Sequence, residues 1–187
     1  CRWSTRGATS SITASAEGPM SAETVCLPRD LLSCESSLVL GIGNAGRQDD
    51  GLGWAYVDGL QARLAARGGP TPQLRHTYQL NLEDADLIHH YRRVLFVDAT
   101  KDSAVDTFTV TRPQAKMDLT FTSHAISVPA ILATARQCFD SVPEAYLLAI
   151  RGYQWELAQG LSDAALHNLG AALHATVDTV DTAAVDR

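Results

Sequence analysis

Residues 38–53 read "LVLGIGNAGRQDDGLG", and the fold turns on what this loop is built to hold. The apolar run Leu38-Val39-Leu40 reads as a strand, and Gly41, Gly43 and Gly46 fit the dinucleotide fingerprint G-x-G-x-x-G. Just beyond them, however, stand Asp49 and Asp50, negative charge where a phosphate would lie. A phosphate cradle needs a helix that starts among its glycines and an acidic residue about 20 positions later for the ribose. Here "RQDDGLG" delays the helix to about Asp49–Gly51, and no Asp or Glu occurs from Gly59 through Leu82. Arg75, the residue that would suit a 2′-phosphate, falls within a strand rather than beyond it. An NAD(P)-binding oxidoreductase is therefore a disfavoured alternative.

Outward from this loop, short apolar runs alternate with longer helical stretches, the signature of βαβ units. Strands are expected at 37–42, 74–79, 93–98, 106–111 and 145–150. The third and fifth are continuously apolar, as central parallel strands covered on both faces should be. Leu52, Tyr56, Leu60 and Leu64 form one face of a helix over 52–66, which Gly68-Gly69-Pro70 ends. Further helices are expected at 82–90, at 127–139 with Ser127 as N-cap and Pro129 in the first turn, and from Ser162 onward. The expected fold is a three-layer αβα sandwich around a mostly parallel, twisted sheet of about five strands.

A chain of 187 residues suits one domain with its own core. That domain is expected over 37–182, with residues 1–36 an N-terminal extension outside it, disordered or in part an appended leader. Ser, Thr and Arg with few acids give residues 1–18 a transit-peptide composition, although an appended leader before a start at Met20 explains the same letters. The apolar spots Val25–Leu27 and Leu31-Leu32 are too short to read as core. A net charge of -6 argues against nucleic acid or an anionic membrane as partner. No apolar run approaches the roughly 20 residues of a membrane span. Cys1, Cys26, Cys34 and Cys138 show no C-x-x-C pair, which reads as cytoplasmic thiol usage. Cys138 reads as a small buried hydrophobe.

Three positions carry the chemistry. Asp50 lies in the loop after the first strand, and Asp98 ends the apolar strand "VLFVD". In an open parallel sheet, sites form outside the carboxyl ends of the strands, where strand order reverses. Asp98 is equally good turn chemistry in "DATKD". His124, in "TFTSHAISVPA", stands just before a helix, where a lone His is more often a surface or satisfied residue than a ligand. Two carboxylates and an imidazole on converging loops suit a borderline divalent ion such as nickel or zinc better than copper(I). Ser123 beside His124 makes no triad pair, and no G-x-S-x-G elbow exists. His89-His90 reads as the exposed end of a short helix rather than a metal site, with no carboxylate at a helical offset and a matching third ligand expected beside it. Trp54, Tyr153 and Trp155 are candidates for lining a peptide groove, with core packing the plainer role for Trp54.

"GIGNAGRQDDGLG", "LFVDAT" and "TSHAISVPAIL", in that order, resemble the signatures of the hydrogenase maturation endopeptidases, which trim the C-terminus of the nickel-containing large subunit of [NiFe] hydrogenases. The resemblance spans about residues 37–175 and includes "LLAIRG" before the last helix. Departures are the small, polar "AGRQ", the extension before Leu38 and the segment "AIRGYQWELAQGLS". The resemblance implies an aspartic-type endopeptidase in which Asp50, Asp98 and His124 are both catalytic and metal-engaging. The metal it implies is the nickel carried by the substrate, with zinc or cadmium able to stand in for it in vitro. Gly43, Asn44 and Asp49 are the implied substrate-binding residues, and Asp49 is also a candidate cap for the first helix. The implied partner is a large-subunit precursor, and the chain is expected to act in the cytoplasm as a monomer or dimer. A module that kept the metal pocket but only docks on its partner is the alternative.

Overall fold

The computed structural model describes residues 25–117 and 126–178. Five strands form one sheet: β1 (Ser37–Ile42), β2 (Gln73–Thr77), β3 (Arg93–Thr100), β4 (Phe108–Thr111) and β5 (Glu144–Arg151), in the order β2-β1-β3-β5-β4. β1 runs parallel to β2 and β3, β3 runs parallel to β5, and only β4, at the edge, is antiparallel. The helices are α1 (Leu52–Arg67), α2 (Asp84–His89), α3 (Val128–Phe139) and α4 (Asp163–Leu173).

Alternation along the central strands divides the core into two layers. On β3, Leu95 and Val97 pack with Leu52, Tyr56 and Leu60 of α1 and Leu169 and Leu173 of α4. Val94 and Phe96 face the other way, toward Ile88 of α2 and Ile131 and Leu132 of α3. All four of these β3 side chains are fully buried, each contributing about 1.5–3 kcal/mol relative to exposure. This is the expected three-layer αβα sandwich. Local chemistry fixes the helix starts: Ser127 Oγ accepts from the Ala130 N–H and Ser162 Oγ from the Ala165 N–H, each satisfying an orphan donor of the first turn.

Two expectations are corrected. The fold does not begin at residue 37. Leu31 and Leu32 are buried in the core, Val25 and Leu27 pack against it, and the Val25 N–H donates to the Val110 carbonyl. Arg93, 8% exposed, ties this segment down by pairing with Asp30 at 2.6 Å and with Glu144 at 2.9 Å. Apolar runs this short show no periodicity, yet they fill gaps beside α1 and α4. Cys138, in turn, is exposed, because it lies on the last turn of α3 beyond the buried stripe that ends at Ala135. Residues 1–24, 118–125 and 179–187 lie outside the described residues. No helix among the described residues is long and apolar enough to cross a membrane.

Candidate active site

From β1 the chain crosses to β2 on one side, then returns past β1 to β3 on the other. The carboxyl ends of β1 and β3 therefore flank the point where strand order reverses, the place where open α/β sheets leave a crevice. A cavity of about 400 Å³ lies there, and its lining includes Gly43, Asp50, Tyr78, Asp98, Ile126 and Ser127.

The loop after β1 is closed upon itself. Gly43 has φ +134, and a Cβ there would lie 1.8 Å from the Asp50 carbonyl oxygen, so only glycine fits. The Gly43 N–H donates to Thr77 O, that of Asn44 to Asp50 O and that of Arg47 to Asn44 O. Asn44 Oδ1 accepts from the Gly46 N–H at 2.8 Å. Behind the loop, α1 approaches the sheet so closely that a Cβ on Gly53 would meet the Ile42 carbonyl oxygen at 2.2 Å. Helix α1 itself starts at Leu52, after the 3-10 turn Gln48–Gly51. The N–H groups that a phosphate would need are thus committed within the protein, and the helix begins beyond the glycines. This removes the dinucleotide reading's structural basis.

Asp50 and Asp98, both half-buried, line the same cavity, and the described residues lining it include no Lys or Arg. Asp98 shares the face of β3 that carries Val94 and Phe96. Burial pushes its carboxyl up to about 7, opposed by a hydrogen bond from the Ala99 N–H and reinforced by the charge of Asp50. Two carboxylates in one cavity, with no Lys or Arg among its described lining residues, suit a divalent ion. The strand runs two residues past Asp98, to Thr100.

Asp49 points the other way. It is fully buried, and its carboxylate accepts from the N–H groups of Tyr153, Gln154 and Ser162 and from the Ser162 hydroxyl, at 2.7–2.9 Å. Burial alone would raise its pKa, but these bonds outweigh it and hold the group below the usual carboxylate range. Asp49 does not cap α1, whose N-cap is Gly51 without a side-chain bond. Enclosed in this way, it fastens the Asp50 loop to the β5–α4 connection.

No family model and no curated protein matches the sequence. Among solved structures, the chain is similar to the hydrogenase maturating endopeptidase HybD from E. coli, with a TM-score of 0.62 at 18% identity over 78% of this chain and 92% of that one. It is also similar to the [NiFe] hydrogenase maturation protease HycI from Thermococcus kodakarensis KOD1, with a TM-score of 0.60 at 17% identity over 82% of this chain and 97% of that one. The chain has the fold of the hydrogenase maturation endopeptidases.

Within this maturation-endopeptidase fold the remaining sequence candidates separate. His124 lies outside the described residues, two positions before Ile126, which lines the cavity. Tyr153 and Trp155 stand on the β5–α4 connection. The Tyr153 hydroxyl donates to Asp106 O and accepts from Asn168, while Lys101 Nζ sits 4.5 Å from the Trp155 ring. Trp54 is half-buried, donates from Nε1 to Thr77 O, and packs its ring 4.8 Å from that of Tyr78. Tyr78, 65% exposed, borders the cavity and was missed. The available signal was its place directly after β2, at the carboxyl edge of the sheet. The His89-His90 reading is also corrected: Asp86 stands three and four residues before them, with Oδ1 3.3 Å and 3.9 Å from their Nε2 atoms.

Proposed function

We propose that the protein is an endopeptidase that removes a C-terminal peptide from the nickel-loaded precursor of a [NiFe] hydrogenase large subunit. The observation that carries this reading is the pairing of Asp50 and Asp98 in one cavity at the strand-order switch, without a neighbouring Lys or Arg among its described lining residues. The similarity in fold to peptidases of hydrogenase maturation supports this reading of the substrate class.

In this reading Asp50, Asp98 and His124 engage the nickel carried by the precursor. Carboxylate and imidazole are suitable donors for that ion, and three ligands leave positions for groups of the substrate. Gly43 keeps the wall of the cavity open beside Asp50, and Asn44 holds the turn closed. Tyr78 and the Trp54 ring beneath it offer an apolar flank to the peptide. Asp49 sets the position of Asp50 from behind. Engaging the ion fixes the precursor chain, so that one peptide bond is presented for hydrolysis.

The test uses purified large-subunit precursor, nickel-loaded and nickel-free, with mass spectrometry as the readout. The expected result is loss of one C-terminal peptide from the loaded form only, abolished by Asp50→Ala, Asp98→Ala or His124→Ala in chains that remain folded. Normal cleavage by all three variants would overturn the assignment. Capture of the precursor without any mass change would point instead to a module that docks without cutting.

A further inference from the structure

Helix α2 leads into β3 and α3 leads into β5, and these strands run parallel. The C-terminal ends of both helices therefore meet at the edge of the sheet opposite the Asp50–Asp98 cavity. They touch through His89 and Phe139, whose rings stack with centroids 4.1 Å apart and planes 12° from parallel.

Asp86, His89 and His90 gather at this corner. Beside the two Asp86 contacts already given, the imidazole centroids lie 3.8 Å apart, and one donor atom from each of the three residues lies within 4.8 Å of the others. Ligands bound at about 2.0–2.2 Å from a tetrahedral ion stand roughly 3.3–3.6 Å from one another, so the cluster needs only a small contraction to close on a cation. All three side chains reach solvent, His89 least. Two further features favour a bound cation here. The carbonyl ends of α2 and α3 both direct partial negative charge to this corner, and Phe139 restricts the His89 ring that would otherwise have to be ordered on binding.

We propose that Asp86, His89 and His90 form a second divalent-cation site, separate from the Asp50–Asp98 cavity. Two imidazoles and one carboxylate select a borderline ion such as zinc, nickel or copper(II) over magnesium or calcium. Three protein ligands leave a coordination position open, the arrangement of an exchangeable site rather than a closed structural one. This assignment stands on its own residues and does not depend on the peptidase reading.

The experiment uses the full chain, free of any affinity tag and stripped of metal, titrated with zinc by calorimetry while the histidine ring 1H–15N signals are followed by NMR. In an Asp50→Ala, Asp98→Ala background the expected result is one zinc per chain with shifts at His89 and His90. Adding His89→Gln and His90→Gln should weaken that binding at least tenfold while circular dichroism stays unchanged. Zinc affinity indifferent to the two histidine changes, or no zinc bound by the folded background chain, would overturn the site and leave a helix-end ion pair only. Should the background chain fail to fold, the same two histidine changes in the unaltered protein decide the matter: one zinc equivalent is lost, or none is. Precursor processing by His89→Gln, His90→Gln protein is expected to continue, which separates this site's failure from failure of the peptidase reading.

Discussion

The carboxylate of Asp49 accepts a 2.7 Å hydrogen bond from the backbone N–H of Ser162, 113 residues further along the chain. One side chain thus joins the loop after the first strand to the N-terminus of the last helix, with the Tyr153 and Gln154 N–H groups completing the grip. Asp50 is held by its neighbour's bonds together with the backbone bonds from the Asp49 N–H to Gln154 O and from the Gln48 N–H to Ala158 O.

Asp49→Ala should therefore be among the costliest single changes. It removes the buried acceptor of three part-buried backbone donors, and each donor left unsatisfied costs about 1–3 kcal/mol. A loss of at least about 3 kcal/mol is expected by urea unfolding. A loss below about 0.5 kcal/mol, the scale of an ordinary surface change, would show that the loop is fastened by something else.

The same bonds set an acid limit. Because the Asp49 pKa is depressed in the folded chain, its contribution is present above the unfolded carboxyl value of 3.8 and is lost as pH falls through the lower folded value. Stability should drop below about pH 4 in the parent. Asp49→Asn protein, already weakened, should show a shallower slope there. Urea midpoints measured between pH 6 and pH 2.5 give the comparison, and parallel slopes would refute it.

Asp98 has the opposite sign. Its carboxyl is raised to about 7, so the folded chain holds a proton that the unfolded chain has released. That contribution is complete below 3.8 and disappears as pH rises through about 7. Asp98→Asn, which cannot ionise, should thus gain stability relative to the parent at pH 8 compared with pH 5. An equal difference at the two pH values would mean that the carboxyl titrates normally.

Gly43→Ala tests the geometry of the cavity wall. The added methyl would overlap the Asp50 carbonyl, and φ +134 strains any L side chain. A cost of about 2 kcal/mol or more is expected, together with loss of precursor processing as Asp50 is displaced. A variant as stable and as active as the parent would show that the loop relaxes without moving Asp50.

The sheet and its helices were legible because their patterns are local and repetitive. Val94 to Val97 is an unbroken apolar run, and Leu52, Tyr56, Leu60 and Leu64 recur at one helical spacing. Asp98 was legible for the same reason, as an acid closing such a run. Asp49 was not, since its partners at 153–162 carry no pattern that points back to residue 49. Leu31 and Leu32 are core only because distant helices leave them a space, which no short window reveals. Asp86, by contrast, stood at a readable offset from His89 and His90. The carboxylate was in view, but the helix is barely two turns long and draws little attention by periodicity.

The residues that open the described chain bear on solubility. A sheet has two edges at which another chain can add a strand. On one side β2 is only five residues long, Gln73–Thr77, and carries exposed Arg75 and His76. On the other, β4 is followed by Pro113, and the Val25 N–H occupies the outward Val110 carbonyl. The Val25 N–H thus takes up one acceptor on this edge, and a chain trimmed to begin at Leu38 is expected to leave the Val110 carbonyl open to another strand.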